Sequence, residues 1–196
     1  AVAEATGAEV IGALPADDRF QDDTFKPTLE LSHDWVLQAP EFTLRALHTP
    51  GHVNNHYCFL LEEDGMLFAG DHIMNGSTVV IVPPGGDMKA YIESLRLLLD
   101  YPLQSIAPGH GDLIHTPREE VAGLVEHRLA RERKVIAGLS ALGQAEMDAL
   151  VQVVYDDVDP ARHEWAKLSL AAHLIKLAAE GRARHADTGD RWEWLG

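Results

Sequence analysis

Residues 43–73 read TLRALHTPGHVNNHYCFLLEEDGMLFAGDHI, followed by STVVIVPPGGDM at 77–88 and SIAPGHG at 105–111. Three phrases in this stretch place a metal-binding side chain just past an apolar, β-prone run. His52 follows Leu44-Arg45-Ala46-Leu47, Asp71 follows Met66-Leu67-Phe68-Ala69, and His110 follows Ser105-Ile106-Ala107. A strand that stops at Gly-His or Gly-Asp leaves its ligand in a tight loop at the sheet edge. Imidazole nitrogen and carboxylate oxygen are the donors that zinc and similar divalent ions take. Three such ends at one edge would make a metal site.

Working outward, Glu63-Asp64-Gly65 is a hairpin turn signal between the runs 56–61 and 66–69. Upstream, residues 1–7 look like a helix end closed by Gly7, and 9–13 is a short strand candidate. Residues 14–28 are polar and aspartate-rich, and Asp22 and Asp23 read as solvated loop residues. His33 reads as a surface turn residue ahead of Trp35-Val36-Leu37. His48 and His56 flank the loop of His52 and are read as ordinary hydrogen-bonded histidines. Cys58 reads as a buried strand thiol.

Downstream, Val79-Val80-Ile81-Val82 reads as a strand stopped by Pro83-Pro84. Asp87 can cap a helix whose apolar positions are Ile92, Leu95, Leu98 and Leu99. Thr116, Pro117 and Glu119 have the spacing of a capping box, with proline at the first helical position. The long helix that follows has Val121, Leu124, Val125, Leu129, Val135, Ile136 and Leu139 as its apolar positions. A second helix over 145–155 and a third beginning at Asp159-Pro160 follow, the third burying Leu168, Leu170, Leu174, Ile175, Leu177 and Ala178. A hairpin then turns at 187–190, with Trp192 and Trp194 on one buried face. This divides the chain into 1–116 and 117–196.

The chain of 196 residues has a formal net charge of −15, a hydrophobic content of 46% and a single cysteine. Residues 128–196 hold ten Lys/Arg against eleven Asp/Glu, so nearly all the excess negative charge lies before them. That field disfavours general nucleic-acid binding, although a bound metal pair would invert it locally. One cysteine excludes an internal disulfide, and no run is long enough to span a membrane. A cytoplasmic location is the expectation.

Thr49-Pro50-Gly51-His52, Gly70-Asp71-His72 and Pro108-Gly109-His110-Gly111, with the 77–88 segment between them, resemble the metallo-β-lactamase-fold hydrolases, in their β-lactamase-like protein 2 branch. The resemblance implies an α/β fold: the C-terminal half of an αββα sandwich, followed by a winged-helix-like module. It implies two divalent metal ions, zinc by donor type, with His52 on the first, Asp71 bridging and His110 on the second. These ions would activate a water toward an ester, thioester or phosphodiester. His72 and Ser77 are candidate substrate contacts, and no catalytic acid or base is named.

The family's His-x-His-x-Asp-His motif is absent, since no two of the eleven histidines stand two positions apart. The expectation is therefore a truncated hydrolase, inactive as this chain alone, whose substrate is a small ester or thioester or single-stranded RNA. It would pair with a second copy or with a complementing N-terminal part. The alternative is a metal-free binding or regulatory module acting through the winged-helix-like unit.

Overall fold

The computed structural model describes residues 2–14, 21–22, 24–186 and 189–196. The expectations for Asp23 and for part of the 14–28 loop and the 187–190 turn lie outside these residues. A short helix α1 (Val2–Thr6) precedes β1 (Ile11–Gly12), which pairs in parallel with β2 (Leu29–Glu30). Then come β3 (Trp35–Gln38), β4 (Thr43–His48), β5 (Tyr57–Leu61) and β6 (Met66–Gly70), an antiparallel meander. Helix α2 (Met88–Leu98) crosses over to β7 (Ser105–Pro108), which joins β6 in parallel and completes a sheet of order β3-β4-β5-β6-β7.

Period-two alternation sorts the sheet's side chains. Leu47, Cys58, Leu60, Leu67, Ala69 and Ile106 face inward and are buried against Tyr91, Ile92, Leu95 and Leu98 of α2. Asp87 caps α2 as expected, its carboxylate accepting the Ala90 N–H at 2.8 Å. The opposite face is set by two cross-strand rows, Trp35-Ala46-Phe59-Phe68 and Leu37-Leu44-Leu61-Met66. These rows are apolar throughout, yet Leu37 is 38% and Phe68 43% exposed.

Helix α3 (Pro117–Leu142) leads into β8 (Gln144–Glu146), α4 (Met147–Val154), a 3-10 turn (Pro160–Arg162) and α5 (His163–Ala179). Strands β9 (Ala183–His185) and β10 (Arg191–Trp194) follow, and the order β8-β10-β9 makes an antiparallel sheet. Leu139, Leu150, Val154, Leu170, Leu174 and Leu177 close a second core with Trp192, and Trp194 packs against it. Among the described residues, no helix is long and apolar enough to cross a membrane.

Four local expectations are corrected. Residues 79–82 form no strand, because other partners take their backbone groups. The Val79 carbonyl accepts from Arg128 Nη2 and that of Val82 from the Gly86 N–H, while the Ile81 N–H donates to Ser169 Oγ. The helix expected over 145–155 starts at Met147, since 144–146 pairs with 191–193 instead. Thr116 makes no side-chain cap bond, so the capping box does not form. Ile175 is 47% exposed, and Ala172 and His173 occupy the buried face of α5 in its place.

Candidate metal centre

His52 stands in the loop between β4 and β5. That loop is tied to the start of α2 twice, through Asp87 N–H to the Gly51 carbonyl at 2.8 Å and Ser94 Oγ to the Pro50 carbonyl at 2.7 Å. The His52 Nδ1 lies 3.0 Å from the Val80 carbonyl. A carbonyl can only accept, so Nδ1 is the donor, and in the neutral ring that leaves the lone pair on Nε2.

Asp71 follows β6, and His110 follows β7. The two loops touch because position 109 is glycine. The Gly109 N–H donates to the Gly70 carbonyl at 2.7 Å, and a Cβ at Gly109 would stand only 2.7 Å from Asp71 Oδ1. His110 Nε2 then lies 3.4 Å from Asp71 Oδ1, with both side chains open to solvent at 71% and 46% exposure.

The other histidines divide by surroundings. His56 sits under the edge, its Nδ1 2.9 Å from Thr49 Oγ1. Burial, then the neighbouring His52, push its pKa down to about 4 against a smaller opposing pull from Asp71. His72 is fully buried between the rings of His56 and Tyr91, with neither ring nitrogen hydrogen-bonded. Burial holds its pKa well below the ordinary value, and His56 and His52 add to this. His72 thus lies beneath the site rather than on its rim. Ser77 is exposed in a turn bridged to Met74 and makes no hydrogen bond to His52, Asp71 or His110. His48 is spent on the Asn54 carbonyl at 3.0 Å. Cys58 is buried beside Thr49, and burial pushes its thiol up to about 12, which removes it as a nucleophile.

Imidazole and carboxylate are donor types that a divalent ion takes, but the three side chains do not form one set. Asp71 and His110 are already in contact, and His52 presents an unprotonated nitrogen from a loop held in place. Among the described residues, no group of three or more His, Cys, Asp or Glu could hold a metal ion. Asp71 and His110 therefore come together, and His52 stands close enough to affect the protonation of His56 and His72 without completing a set with them.

The buried imidazoles make stability acid-sensitive. Native His56 stays neutral, while the unfolded chain takes up a proton below the ordinary pKa of 6.5. Its contribution is whole above that value and is lost as pH falls toward about 4, and His72 acts in the same direction. Urea unfolding should show a loss of about 2 kcal/mol from His56 between neutral pH and pH ~5. His56→Gln should flatten this slope.

Sequence reading missed Thr49, Tyr91, Arg128 and Ser169 as supports of the site. Arg128 did leave a signal: it follows Leu124 by four residues and Val121 by seven, inside the apolar stripe of α3.

The sequence profile described as "Metallo-beta-lactamase superfamily" matches residues 3–110, and that of the "Beta-lactamase associated winged helix domain" matches 147–192. A Beta-lactamase-like protein 2 homolog of Drosophila melanogaster is 31% identical over 162 residues, covering 82% of this chain and 54% of the relative. An Atrochrysone carboxyl ACP thioesterase of Aspergillus chevalieri is 37% identical over 169 residues, covering 82% and 53%. A solved metallo-beta-lactamase family protein from Thermus thermophilus superposes with a TM-score of 0.72 at 27% identity, covering 87% of this chain and 55% of that one. The chain spans about half the length of the curated relatives it matches. With the superfamily profile matching more than half of its residues, over the strands and loops that carry His52, Asp71 and His110, this chain belongs to the metallo-beta-lactamase superfamily.

Proposed function

We propose that this chain forms part of a dinuclear-metal hydrolase that cleaves a thioester with water, releasing an acid and a thiol. The observation that carries the reading is the Asp71–His110 pair at 3.4 Å, with His52 on a neighbouring loop of the same sheet edge bonded through Nδ1 to the Val80 carbonyl. Asp71 has two carboxylate oxygens for two ions. His52 would serve one ion and His110 the other, with zinc the ion best matched to these donors. Metal held by these residues would lower the pKa of a bound water and act as a Lewis acid on the scissile carbonyl. The chain's own residues hold and orient: Val80 fixes the His52 proton on Nδ1, and Gly109 brings His110 to Asp71. Three donors shared between two ions complete neither site, so residues 1–196 alone are expected to show no turnover.

The names of the thioesterase relatives and the acidic surface support a thioester. One feature favours a second reading, a phosphodiester such as single-stranded RNA. A cavity of about 230 Å³ is lined by Val80, Arg128, Arg131, Arg162 and the 66% exposed Trp165, although Arg128 is held by the Val79 carbonyl and Arg131 by Asp157. A nucleic-acid-binding winged helix without metal finds less support. On α5, Lys167 pairs with Asp148 and Glu164, and Lys176 pairs with Glu132 and Glu180.

The test uses the protein that carries the complete ligand set, assayed for thiol release from an acyl thioester and for cleavage of single-stranded RNA, with elemental analysis alongside. The expected result is bound metal and thiol release. Asp71→Ala should lower both, turnover by more than the ~100-fold that loss of an outer partner can cost. RNA cleavage without thiol release would overturn the thioester reading, and full activity in Asp71→Ala would overturn the site.

A further inference from the structure

Residues 79–81 are held from three directions. On α3, Arg128 Nη2 donates to the Val79 carbonyl at 2.6 Å. His52 Nδ1 donates to the next carbonyl, Val80, at 3.0 Å. The following Ile81 N–H donates to Ser169 Oγ on α5 at 3.3 Å. Arg128 and Ser169 are buried, with 4% and 7% exposure. They come from the two long helices of the C-terminal part, and the backbone they grip carries the acceptor of a histidine on the sheet edge.

Packing alone does not call for an arginine here. The position lies in the apolar stripe of α3, where an aliphatic side chain would avoid the cost of burying a guanidinium. Arg128 also covers the ring of Tyr91, its guanidinium 5.1 Å from the ring centre. The Tyr91 hydroxyl donates to the His72 carbonyl at 3.0 Å, one residue beyond Asp71, and the Tyr91 backbone fills the space beneath Gly51. One arginine thus reaches the supports of two candidate ligands.

We propose that Arg128 and Ser169 are positioning residues for His52: by fixing the 79–81 backbone they keep the Val80 carbonyl where it holds the imidazole in its Nδ1–H tautomer, which leaves Nε2 as the nitrogen that would take a metal. The inference rests on the reading of His52 as a metal ligand. An imidazole's second nitrogen sets its tautomer and ring orientation, and losing such an outer partner costs metal affinity. The C-terminal part then helps to build the site without supplying a ligand.

The experiment reads the His52 ring directly. The ¹⁵N-labelled protein that carries the complete ligand set, at one neutral pH, is compared with its Arg128→Met and Ser169→Ala variants by long-range ¹H–¹⁵N correlation, first without metal and then through a Zn²⁺ titration. The Trp192 indole resonance reports whether the second core stays folded. The wild type should show a single Nδ1–H tautomer. Both variants should show a mixture of tautomers with the Trp192 signal in place, and Zn²⁺ affinity read at His52 should fall by about tenfold. If Arg128→Met does not fold, Ser169→Ala decides. An unchanged His52 tautomer in the folded variants overturns the proposal. If the tautomer responds but Zn²⁺ leaves the wild-type His52 signals unmoved, positioning stands and the metal reading fails.

Discussion

Gly51→Ala is expected to cost about 4 kcal/mol and to displace His52. Two causes act together. Gly51 has φ +142, a conformation that residues with a Cβ rarely adopt. A Cβ would also stand 2.3 Å from the Tyr91 Cα and 2.6 Å from its backbone nitrogen. Those atoms belong to a helix and cannot swing aside. Relief requires the loop and α2 to part, which breaks the Asp87–Gly51 and Ser94–Pro50 hydrogen bonds. Urea unfolding of the variant should show a midpoint far below wild type, with His52 resonances shifted in the fraction that still folds. A loss under about 1 kcal/mol would mean that the loop is looser than its contacts imply.

Residues 1–196 by themselves are expected to self-associate through the open face of the five-stranded sheet. Trp35, Leu37, Leu44, Phe59, Leu61 and Phe68 share that face by register. Five strands at their usual spacing give a footprint on the order of 400 Å². Monomers rarely leave a contiguous apolar patch larger than a few hundred Å² in water. Covering it is worth roughly 10 kcal/mol at ~25 cal/mol per Å², before the cost of association. Sedimentation at micromolar concentration should show dimers or larger species. The double variant Leu37→Lys, Phe68→Lys changes two side chains that are already 38% and 43% exposed, so it should leave the fold intact and give monomer. A monomeric wild type would refute the expectation.

Features written in short-range patterns were legible in the sequence. The meander of β4 to β6, the Gly65 turn, the Asp87 cap and the loops that carry His52, Asp71 and His110 each depend on neighbours within a few positions. Residues 79–82 misled because four apolar residues look like a strand, whereas what decides is where their peptide groups bond. The Ile81 partner, Ser169, lies 88 positions away. Strand β8 escaped for a related reason: Gln144-Ala145-Glu146 has no β-rich composition and is a strand only because 191–193 lies beside it. His72 looked like a site residue by adjacency to Asp71, but a turn bond from its N–H to the Ala69 carbonyl at 3.0 Å accompanies a ring that points into the core. Arg128 and Glu132 could have been read, because a charge at a stripe position needs a buried partner. Arg128 has the Val79 carbonyl, and Glu132 has His173 and Lys176.

Helix α3 has a consequence for exchange between relatives. Val121 and Leu124, near its start, belong to the first core, and Val135 and Leu139, near its end, belong to the second. At 26 residues it is about 39 Å long, enough to pass through both. A chimera that swaps the C-terminal unit at the loop before Pro117 would import foreign side chains into the sheet's own core. A seam inside the helix, after Leu124 and before Val135, leaves each core with its native stretch of α3, and it decides which parent supplies Arg128. The natural unit of transplantation is thus up to half a helix shorter than the loops suggest.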